Sequence, residues 1–547
     1  MHFLPRYLAA AGLLLAACNS NTSTNNSSAF NADSLVADIK VLASDSFQGR
    51  KPFTPGETKT IEYLQDKLKF MGLEPGNGNS YLQDVPMVNI ITKAAPFMQV
   101  QSPKGNFDLK AFDEYAVWTS KTDSLITLKN DDLVFAGYGV VAPEYNWNDY
   151  AGIDVKGKVV LVLVNDPGFA ANDSTLFKGK TMTYYGRWTY KFEEAARQGA
   201  KGCLIIHNTA AASYPFSVVQ NNHNTSRLRL DNRGKTEQLC DITGWVTGDA
   251  AKKLLAAAGK DTTLLAEADK RGFKAVPLNE KLSTSMQVKV EYNKSHNVIA
   301  KITGSKHPDE YIIYTAHWDH LGVDRPDAKG DSIYNGALDN ASGTAGLLEL
   351  ARVFKNAPSK PERTIIFLAV TAEEQGLWGS AWYAENPVYP LNKTLANLNM
   401  DVINNYGKTK DVIVVGEGQS EIEDILKEEA SSQGRIISAE THPEAGHYYR
   451  SDHFNFAKVG VPALSASSGV DVVGKGKEYG QKMEDEYNDK NYHQPSDEYN
   501  ASWNLEGAIE DLVLLYNVGR KIDTNAAYPQ WKQGSEFKSI REKSLGK

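Results

Sequence analysis

The chain has 547 residues, 41% of them hydrophobic, and a formal net charge of −8 at pH 7. A chain of this length is expected to fold into two or three domains. Its charge is modest and its lysines and arginines form no dense cluster, which argues against nucleic-acid binding because phosphate recognition requires a concentrated basic surface.

The N-terminal segment is predicted to be an export signal followed by a tether. Residues 8–17 are apolar but too short to span a bilayer as a helix of the mature protein. They end in Leu15-Ala16-Ala17-Cys18, which resembles the lipobox of bacterial lipoproteins, whose cysteine is acylated after signal cleavage. An ordinary signal peptide with an incidental cysteine is the alternative, and it also implies export.

The lipobox resemblance predicts where the protein resides. Residues 1–17 would be a lipoprotein signal peptide, Cys18 the lipidation site, and residues 18–30, rich in Asn, Ser and Thr, a flexible tether. Several acyl chains would anchor the protein stably to a membrane. We therefore expect it at the bacterial cell envelope, facing the periplasm or the cell exterior.

Residues 31–114 are predicted to form the N-terminal part of a catalytic domain, beginning with two helical pieces. In the second piece, apolar residues recur at helical spacing between positions 60 and 71, and Gly72 closes the helix. The polar stretch 44–50 lies between the two pieces.

A β-rich block is predicted for residues 115–285. Its strand-like runs include residues 133–139 and 158–164, and a helical stretch lies around residues 192–198. The block resembles a protease-associated domain, a β-rich module inserted into several secreted peptidases; an unrelated α/β lid is the alternative. Cys203 and Cys240 could form a disulfide in an exported protein, although two separate buried thiols are favoured.

From residue 286 to 525 the pattern alternates between strands and helices. Apolar runs at residues 311–316, 364–370 and 395–400 indicate buried strands, and residues 342–354 form an apolar-faced helix. This pattern predicts an α/β sheet with helices on both faces, followed by a C-terminal tail at residues 526–547.

Three of these strands end in residues that can bind metal. His317, the pair Glu373 and Glu374, and Asp401 each follow a different strand. In open α/β sheets ligands bind beyond the carboxyl ends of the strands, so these side chains are expected at one edge. Asp319, two residues after His317, could hold the imidazole in its ligating tautomer.

Asp339 and a C-terminal histidine would complete a site for two ions. Asp339 opens a glycine-flanked helix and would, taken alone, be interpreted as an N-cap. Two imidazoles and three carboxylates, one of them shared, suit two divalent ions: two Zn²⁺ carry four positive charges, which three carboxylates and one hydroxide balance. Both His453 and His493 are candidates for the second histidine, and Co²⁺ or Mn²⁺ could replace zinc at such ligands.

Four motifs resemble the co-catalytic zinc exopeptidases, a family that includes secreted bacterial aminopeptidases and the glutamate carboxypeptidase II and transferrin receptor group. The resemblance implies a three-layer α/β/α mixed sheet, discontinuous across the protease-associated insertion. The motifs are Ala316-His317-Trp318-Asp319, Leu338-Asp339-Asn340-Ala341-Ser342-Gly343, Ala372-Glu373-Glu374-Gln375-Gly376-Leu377-Trp378-Gly379-Ser380 and Asn399-Met400-Asp401.

The resemblance also implies a role for each residue. Asp339 would bridge two zinc ions, with His317 and Asp401 on one ion and Glu374 and His493 on the other. Glu373 would be the general base, Tyr492 would polarise the scissile carbonyl, and Arg450 would lie in the substrate pocket. His453 would not be a ligand, His320 would be structural, and the Asp339–Asn340 peptide bond would be cis.

The expected activity is removal of N-terminal residues from peptides, because carboxylates such as Glu373 and Asp401 can receive a free amine. Carboxypeptidase or dipeptidase action is the alternative, since the Arg450 guanidinium could bind a carboxylate. A non-catalytic receptor on the same scaffold is a third hypothesis; such proteins lack metal ligands that are present in this chain.

Overall fold

The computed structural model describes residues 26–171 and 173–546. The predicted signal peptide, most of the tether and the predicted lipidation site Cys18 lie outside the described residues. Within the described ranges, no helix combines the length and apolarity that crossing a membrane requires.

The helices range from one turn to five turns. Those in the first half of the chain are α1 (Ala32–Leu42), α2 (Pro55–Phe70), α3 (Trp188–Arg197), α4 (Thr209–Ala212), α5 (Phe216–Gln220), α6 (Gly248–Ala257) and α7 (Thr263–Glu267). Those in the second half are α8 (Gly343–Lys355), α9 (Trp378–Glu385), α10 (Ile422–Ser432), α11 (His453–Lys458), α12 (Lys477–Lys490), α13 (Glu506–Thr524) and α14 (Lys538–Ser544).

The strands differ greatly in length. Those before residue 150 are β1 (Glu74–Pro75), β2 (Leu82–Ala94), β3 (Phe97–Gln101), β4 (Phe107–Lys110), β5 (Tyr115–Trp118), β6 (Leu125–Phe135), β7 (Val141–Ala142) and β8 (Trp147–Asn148). Those that follow are β9 (Val159–Leu163), β10 (Gly202–Ile206), β11 (Ser226–Leu230), β12 (Ile242–Val246), β13 (Val276–Ile302), β14 (His307–His317), β15 (Gly322–Val323), β16 (Ile333–Tyr334), β17 (Arg363–Val370), β18 (Thr394–Asn399), β19 (Asp411–Val414), β20 (Ile436–Ser438) and β21 (Ala463–Ser468).

The first sheet has the strand order β20-β19-β21-β18-β14-β17-β13, with β1 and part of β2 on the far side of β13. Its four central strands, β21, β18, β14 and β17, are parallel, whereas β13 and β19 run antiparallel to their neighbours among them. The four parallel strands therefore present their carboxyl ends at one edge.

Strand β17 shows why helices cover both faces of the first sheet. Ile365, Phe367 and Ala369 belong to one buried apolar cluster, which also contains side chains of α1, α2, α8, α10 and α13. The alternate residues Ile366 and Leu368 belong to a second cluster with side chains of α9 and α11. Because successive side chains of a strand point to opposite faces, a fully apolar strand needs two helical layers, which confirms the predicted α/β/α architecture.

A second sheet extends from the long strand β13. Strands β6, β9, β10 and β12 run parallel, and β5 closes one edge antiparallel to β12. The 27 residues of β13 join the two sheets, pairing with β6 and β3 in the second and with β17 in the first.

The second sheet has its own buried clusters, which begin at Ala94 and end at Met286. They include β3 and β4, so this core starts upstream of the predicted boundary at residue 115. Cys203 and Cys240 are buried as separate thiols.

The C-terminal tail packs on the first sheet. Trp531 and Phe537 belong to the cluster that covers one face of that sheet. The buried Arg541 of α14 donates hydrogen bonds to the carbonyl oxygens of Leu391 and Thr394. Residues 526–546 are thus a structural part of the domain.

Candidate metal centre

The carboxyl edge of the first sheet gathers the predicted metal-binding side chains. His317 is the last residue of β14, Glu373 and Glu374 follow β17, and Asp401 follows β18. The register of these parallel strands pairs His317 with Val370, which places the three strand ends side by side.

His317 lies against two carboxylates. Its Nε2 atom is 3.3 Å from Asp339 Oδ1 and 3.2 Å from Asp401 Oδ1, and the imidazole is fully buried. Burial lowers the pKa of His317, but the carboxylates of Glu373 and Asp401 outweigh it and hold the pKa well above its ordinary value.

His493 forms a second group with the other oxygen of Asp339. Its Nε2 atom is 3.3 Å from Asp339 Oδ2 and 3.1 Å from Glu374 Oε2. Burial lowers the pKa of His493, yet Glu374 and Asp339 raise it to about 10. The two oxygens of Asp339 therefore face two different histidines.

The atom spacing in both groups suits tetrahedral metal coordination. Ligand atoms at roughly 2.0–2.1 Å from a zinc ion are about 3.3 Å apart when the angle between them is tetrahedral. The four distances above are 3.1–3.3 Å. His493 Nε2 is buried and makes no hydrogen bond of acceptable geometry with a described residue, although two carboxylates surround it. The donor set therefore fits two divalent ions that share Asp339.

Two other groupings of ligand atoms within 4.8 Å are His317 with Glu373 and Asp401, and His320 with Asp339 and Glu374. Glu373 is the more distant carboxylate from His317, at 4.0 Å from Nε2. His320 Nδ1 lies 2.5 Å from Glu374 Oε1, the oxygen that faces away from His493. We therefore place His320 behind Glu374, where it orients this carboxylate. His320 is thus more closely associated with the site than the structural role predicted for it implies.

Asp319 contacts His317 differently from the expectation. The carbonyl oxygen of Asp319 is 3.2 Å from His317 Nδ1, whereas the carboxylate is 3.9 Å away, beyond hydrogen-bond distance. The carboxylate instead accepts a hydrogen bond from the backbone N–H of Glu373. Asp319 thus links the loop after β14 to the loop after β17.

Glu373 is largely buried with its carboxylate beside the two histidine groups. Burial raises the pKa of its carboxyl well above the ordinary value; His317 opposes this shift, and Asp401 and Glu374 add to it. A carboxyl in these surroundings can exchange a proton near neutral pH more readily than an exposed one.

Asp497 and Arg50 hold the segment that carries Asp339. The carboxylate of Asp497 accepts the backbone N–H groups of Leu338 and Asp339, each at 3.0 Å. The buried guanidinium of Arg50 donates to four carbonyl oxygens, those of Leu42, Trp318, Asn335 and Gly336. Sequence reasoning missed both roles; Asp497 lies in the same motif as His493, and Arg50 closes the polar stretch at residues 44–50.

Asn340 connects Asp339 with the loop that contains Asp401. Its side chain donates to the carbonyl oxygen of Met400 and accepts the N–H groups of Gly343 and Val402. The Asp339–Asn340 peptide bond is cis, as the resemblance implies.

Tyr492 stacks on a residue of the cluster, Arg450 interacts electrostatically with Tyr492, and His453 packs against Tyr448. The ring of Tyr492 stacks on His493 at 3.9 Å between centroids and is 45% exposed, so its hydroxyl can reach a bound substrate. Arg450 precedes α11. His453 is fully buried against Tyr448, and burial lowers its pKa to about 3.

The three-layer α/β/α domain gathers two imidazoles and several carboxylates at the carboxyl edge of its sheet. This ligand set is typical of proteins that bind divalent metal ions. Residues 297–517 match the profile described as Peptidase family M28. The matched segment contains all the clustered residues from His317 to His493.

Relatives match the chain over a limited stretch. A probable zinc metalloprotease of Pyricularia oryzae is 40% identical over 110 residues, 20% of this chain and 21% of that protein. Aminopeptidase NAALADL1 of Mus musculus is 36% identical over 131 residues, 23% of this chain and 16% of that protein. The chain thus spans no more than 21% of the length of these curated relatives.

A comparison with solved structures extends the similarity over almost the whole chain. The aminopeptidase from Aneurinibacillus sp. strain AM-1 is 20% identical, with a TM-score of 0.51, covering 90% of this chain and 94% of that one. At this identity the similarity is one of fold, and it agrees with the α/β architecture described above.

Proposed function

We propose that this protein is an exported aminopeptidase that uses two zinc ions to remove N-terminal residues from peptides. The observation that carries the proposal is the position of Asp339, whose two carboxylate oxygens each lie 3.3 Å from a different histidine. Asp401 completes the His317 group and Glu374 completes the His493 group.

When bound, two zinc ions supply Lewis acidity that activates water and polarises the substrate carbonyl. Glu373 is the residue of the cluster that is left free to move protons. It takes a proton from the attacking water and delivers it to the leaving amine. The Tyr492 hydroxyl donates a hydrogen bond to the carbonyl oxygen as negative charge develops there. Asp319 fixes the backbone of Glu373 during these transfers.

The charges around the cluster favour a substrate with a free amine. Side chains of Glu373 and Asp401 retain some exposure at the site, and their carboxylates can accept hydrogen bonds from an ammonium group. A C-terminal carboxylate would be repelled at this position, which supports aminopeptidase over carboxypeptidase action.

The test is hydrolysis of one peptide panel with free and with N-acetylated amino termini. We expect cleavage of the free-amine peptides from their N-termini and no cleavage of the acetylated ones. Release of C-terminal residues from acetylated peptides would instead show carboxypeptidase action. A Glu349→Gln variant, altered at a buried glutamate paired with Arg352 outside the cluster, serves as the control for folding effects.

Export and membrane anchoring are a separate part of the proposal, supported by the sequence around Cys18. A Cys18→Ser variant should lose incorporation of labelled fatty acid and move from the membrane fraction to the soluble fraction. Labelling that is retained in this variant would refute lipidation at Cys18.

A further inference from the structure

An exposed aromatic side chain projects from the C-terminal end of α2. Phe70 is the last residue of this helix and is 92% exposed, the highest value among the exposed large hydrophobic side chains of the described residues. Its neighbours along the chain are packed, since Leu68 is buried in the core of the first sheet and Met71 packs against that core. The ring of Phe70 is therefore left to solvent at a point where the helix is otherwise well packed.

The chain enters the described structure beside the end of α2. Arg352, near the end of α8, donates to the carbonyl oxygen of Ala29 at 2.5 Å. Lys355, the last residue of α8, donates to the carbonyl oxygen of Gly72 at 2.6 Å, two residues after Phe70. Residues three apart are neighbours on the surface of a helix, so the last turn of α8 connects the entry of the chain with the end of α2.

Helix α8 separates this end of the molecule from the proposed metal centre. Its first turn lies at the metal centre, because Thr344 donates to the carbonyl oxygen of His317, and Asp339 shortly precedes the helix. The 13 residues of α8 span about 20 Å at about 1.5 Å per residue. Phe70 and the entry of the chain therefore lie at the end that faces away from the metal centre.

The charged side chains around the end of α2 include more lysines than carboxylates. The set consists of Lys69, Lys301, Lys355 and Lys360 with Asp66 and Glu74. Lys69 and Asp66 are 3.7 Å apart, whereas Lys355 forms no ion pair with any residue of the described ranges. A basic surface that exposes an aromatic ring is complementary to the anionic headgroups and the acyl boundary of a phospholipid bilayer.

We propose that Phe70 and these lysines form the surface on which the protein docks to the bilayer that holds its lipid anchor. Asn26, the first described residue, follows Cys18 by eight positions, and a fully extended chain of that length spans no more than about 30 Å. Acyl chains on Cys18 would therefore hold the bilayer close to this end of the molecule. The docked protein turns its metal centre away from the lipid and toward soluble peptides. The inference rests on the proposed lipid anchor and names the surface that the anchor brings to the membrane.

An environment-sensitive fluorophore at position 70 tests the docking surface. Cys203 and Cys240 are buried, so Phe70→Cys in the full-length protein supplies an exposed thiol for the label. The labelled protein is reconstituted into vesicles of phosphatidylglycerol and phosphatidylcholine, with phospholipids brominated in their acyl chains as quenchers. We expect a blue-shifted emission and a loss of fluorescence with the brominated lipids, because docking places position 70 at the acyl boundary.

Phe97→Cys is the matched control, because Phe97 is a 47% exposed phenylalanine in β3, which belongs to the second sheet. Its label should show neither the blue shift nor the quenching. In the Phe70→Cys protein, Lys355→Glu should lower the ratio of docked to undocked molecules by about tenfold or more, whereas Lys252→Glu, at an exposed lysine of α6, should leave it unchanged. Equal quenching at positions 70 and 97, or no quenching at either, would overturn the docking surface.

The anchor and the docking surface can be refuted separately. Mass spectrometry of the purified protein measures acylation, and an unmodified Cys18 would refute the anchor. The unacylated protein, labelled at position 70 and mixed with the same vesicles, still reports on the surface: stronger quenching at position 70 than at position 97 supports it, and equal signals overturn it. A blue shift that grows with protein concentration in the absence of vesicles would assign the surface to a second copy of the chain and overturn membrane docking.

Discussion

Replacing Asp497 by asparagine removes a charge that does not contact the proposed metal ions but positions the bridging residue. Both oxygens of Asp497 accept backbone N–H groups, from Leu338 and from Asp339. An asparagine keeps one acceptor oxygen and turns its NH₂ group toward the second N–H. One hydrogen bond is then lost and a buried donor is left unsatisfied.

The magnitude follows from these two contacts. A hydrogen bond to a charged group contributes about 1.5–3 kcal/mol, and an unsatisfied buried donor costs about 1–3 kcal/mol. We expect Asp497→Asn to lower the free energy of unfolding of the metal-free protein by about 3 kcal/mol. Since Asp339 would no longer be held in place, zinc affinity should fall by about 10- to 100-fold.

Urea unfolding of the metal-free protein measures the first quantity, and competition with a zinc chelator measures the second. Asp489→Asn, on the exposed surface of α12, is the matched control and should change neither. Unaltered zinc affinity in Asp497→Asn, with the fold intact, would refute the argument that Asp497 positions Asp339.

Three further predictions concern other parts of the site. Arg50→Lys should lower the free energy of unfolding by about 3 kcal/mol or more, because an ammonium cannot reach four carbonyl oxygens. A free energy of unfolding near that of wild type would contradict this prediction. Zinc binding at pH 7 should release at least about two protons. The raised pKa values keep the imidazoles of His317 and His493 charged in the metal-free protein, and only neutral imidazoles bind zinc. Zinc affinity should accordingly rise with pH. Calorimetry of zinc binding in buffers of different ionisation enthalpy measures the proton release, and the absence of any release would refute this prediction. His493→Gln should lose one of two zinc ions in metal analysis, whereas His453→Gln should keep both; the reverse result would exchange their roles.

The centre of the first sheet could be predicted from sequence because β14, β17 and β18 contain short apolar runs, each with a metal-binding residue type at or just after its carboxyl end. The predicted helix at 342–354 corresponds to α8 (Gly343–Lys355), and the predicted strand at 395–400 to β18 (Thr394–Asn399). Parallel strands share an edge, so the proximity of His317, Glu374 and Asp401 followed from the pattern alone.

Residues held by long-range contacts gave no such local signal. His493 lies in a loop with a positive φ of 57°, and only the family resemblance distinguished it from His453. Arg50 acts on Gly336, 286 positions away. The second core likewise begins upstream of residue 115 because β3 pairs with β13 and β4 pairs with β3, contacts that local sequence does not specify.

Metal content and turnover of Glu373→Gln, compared with wild type, test the central claim most directly. Glu373 lies outside the proposed ligand set and carries the proton, so both proteins should contain about two zinc ions per chain and only wild type should hydrolyse free-amine peptides. A Glu373→Gln protein that loses zinc, or one that hydrolyses these peptides at the wild-type rate, would contradict it.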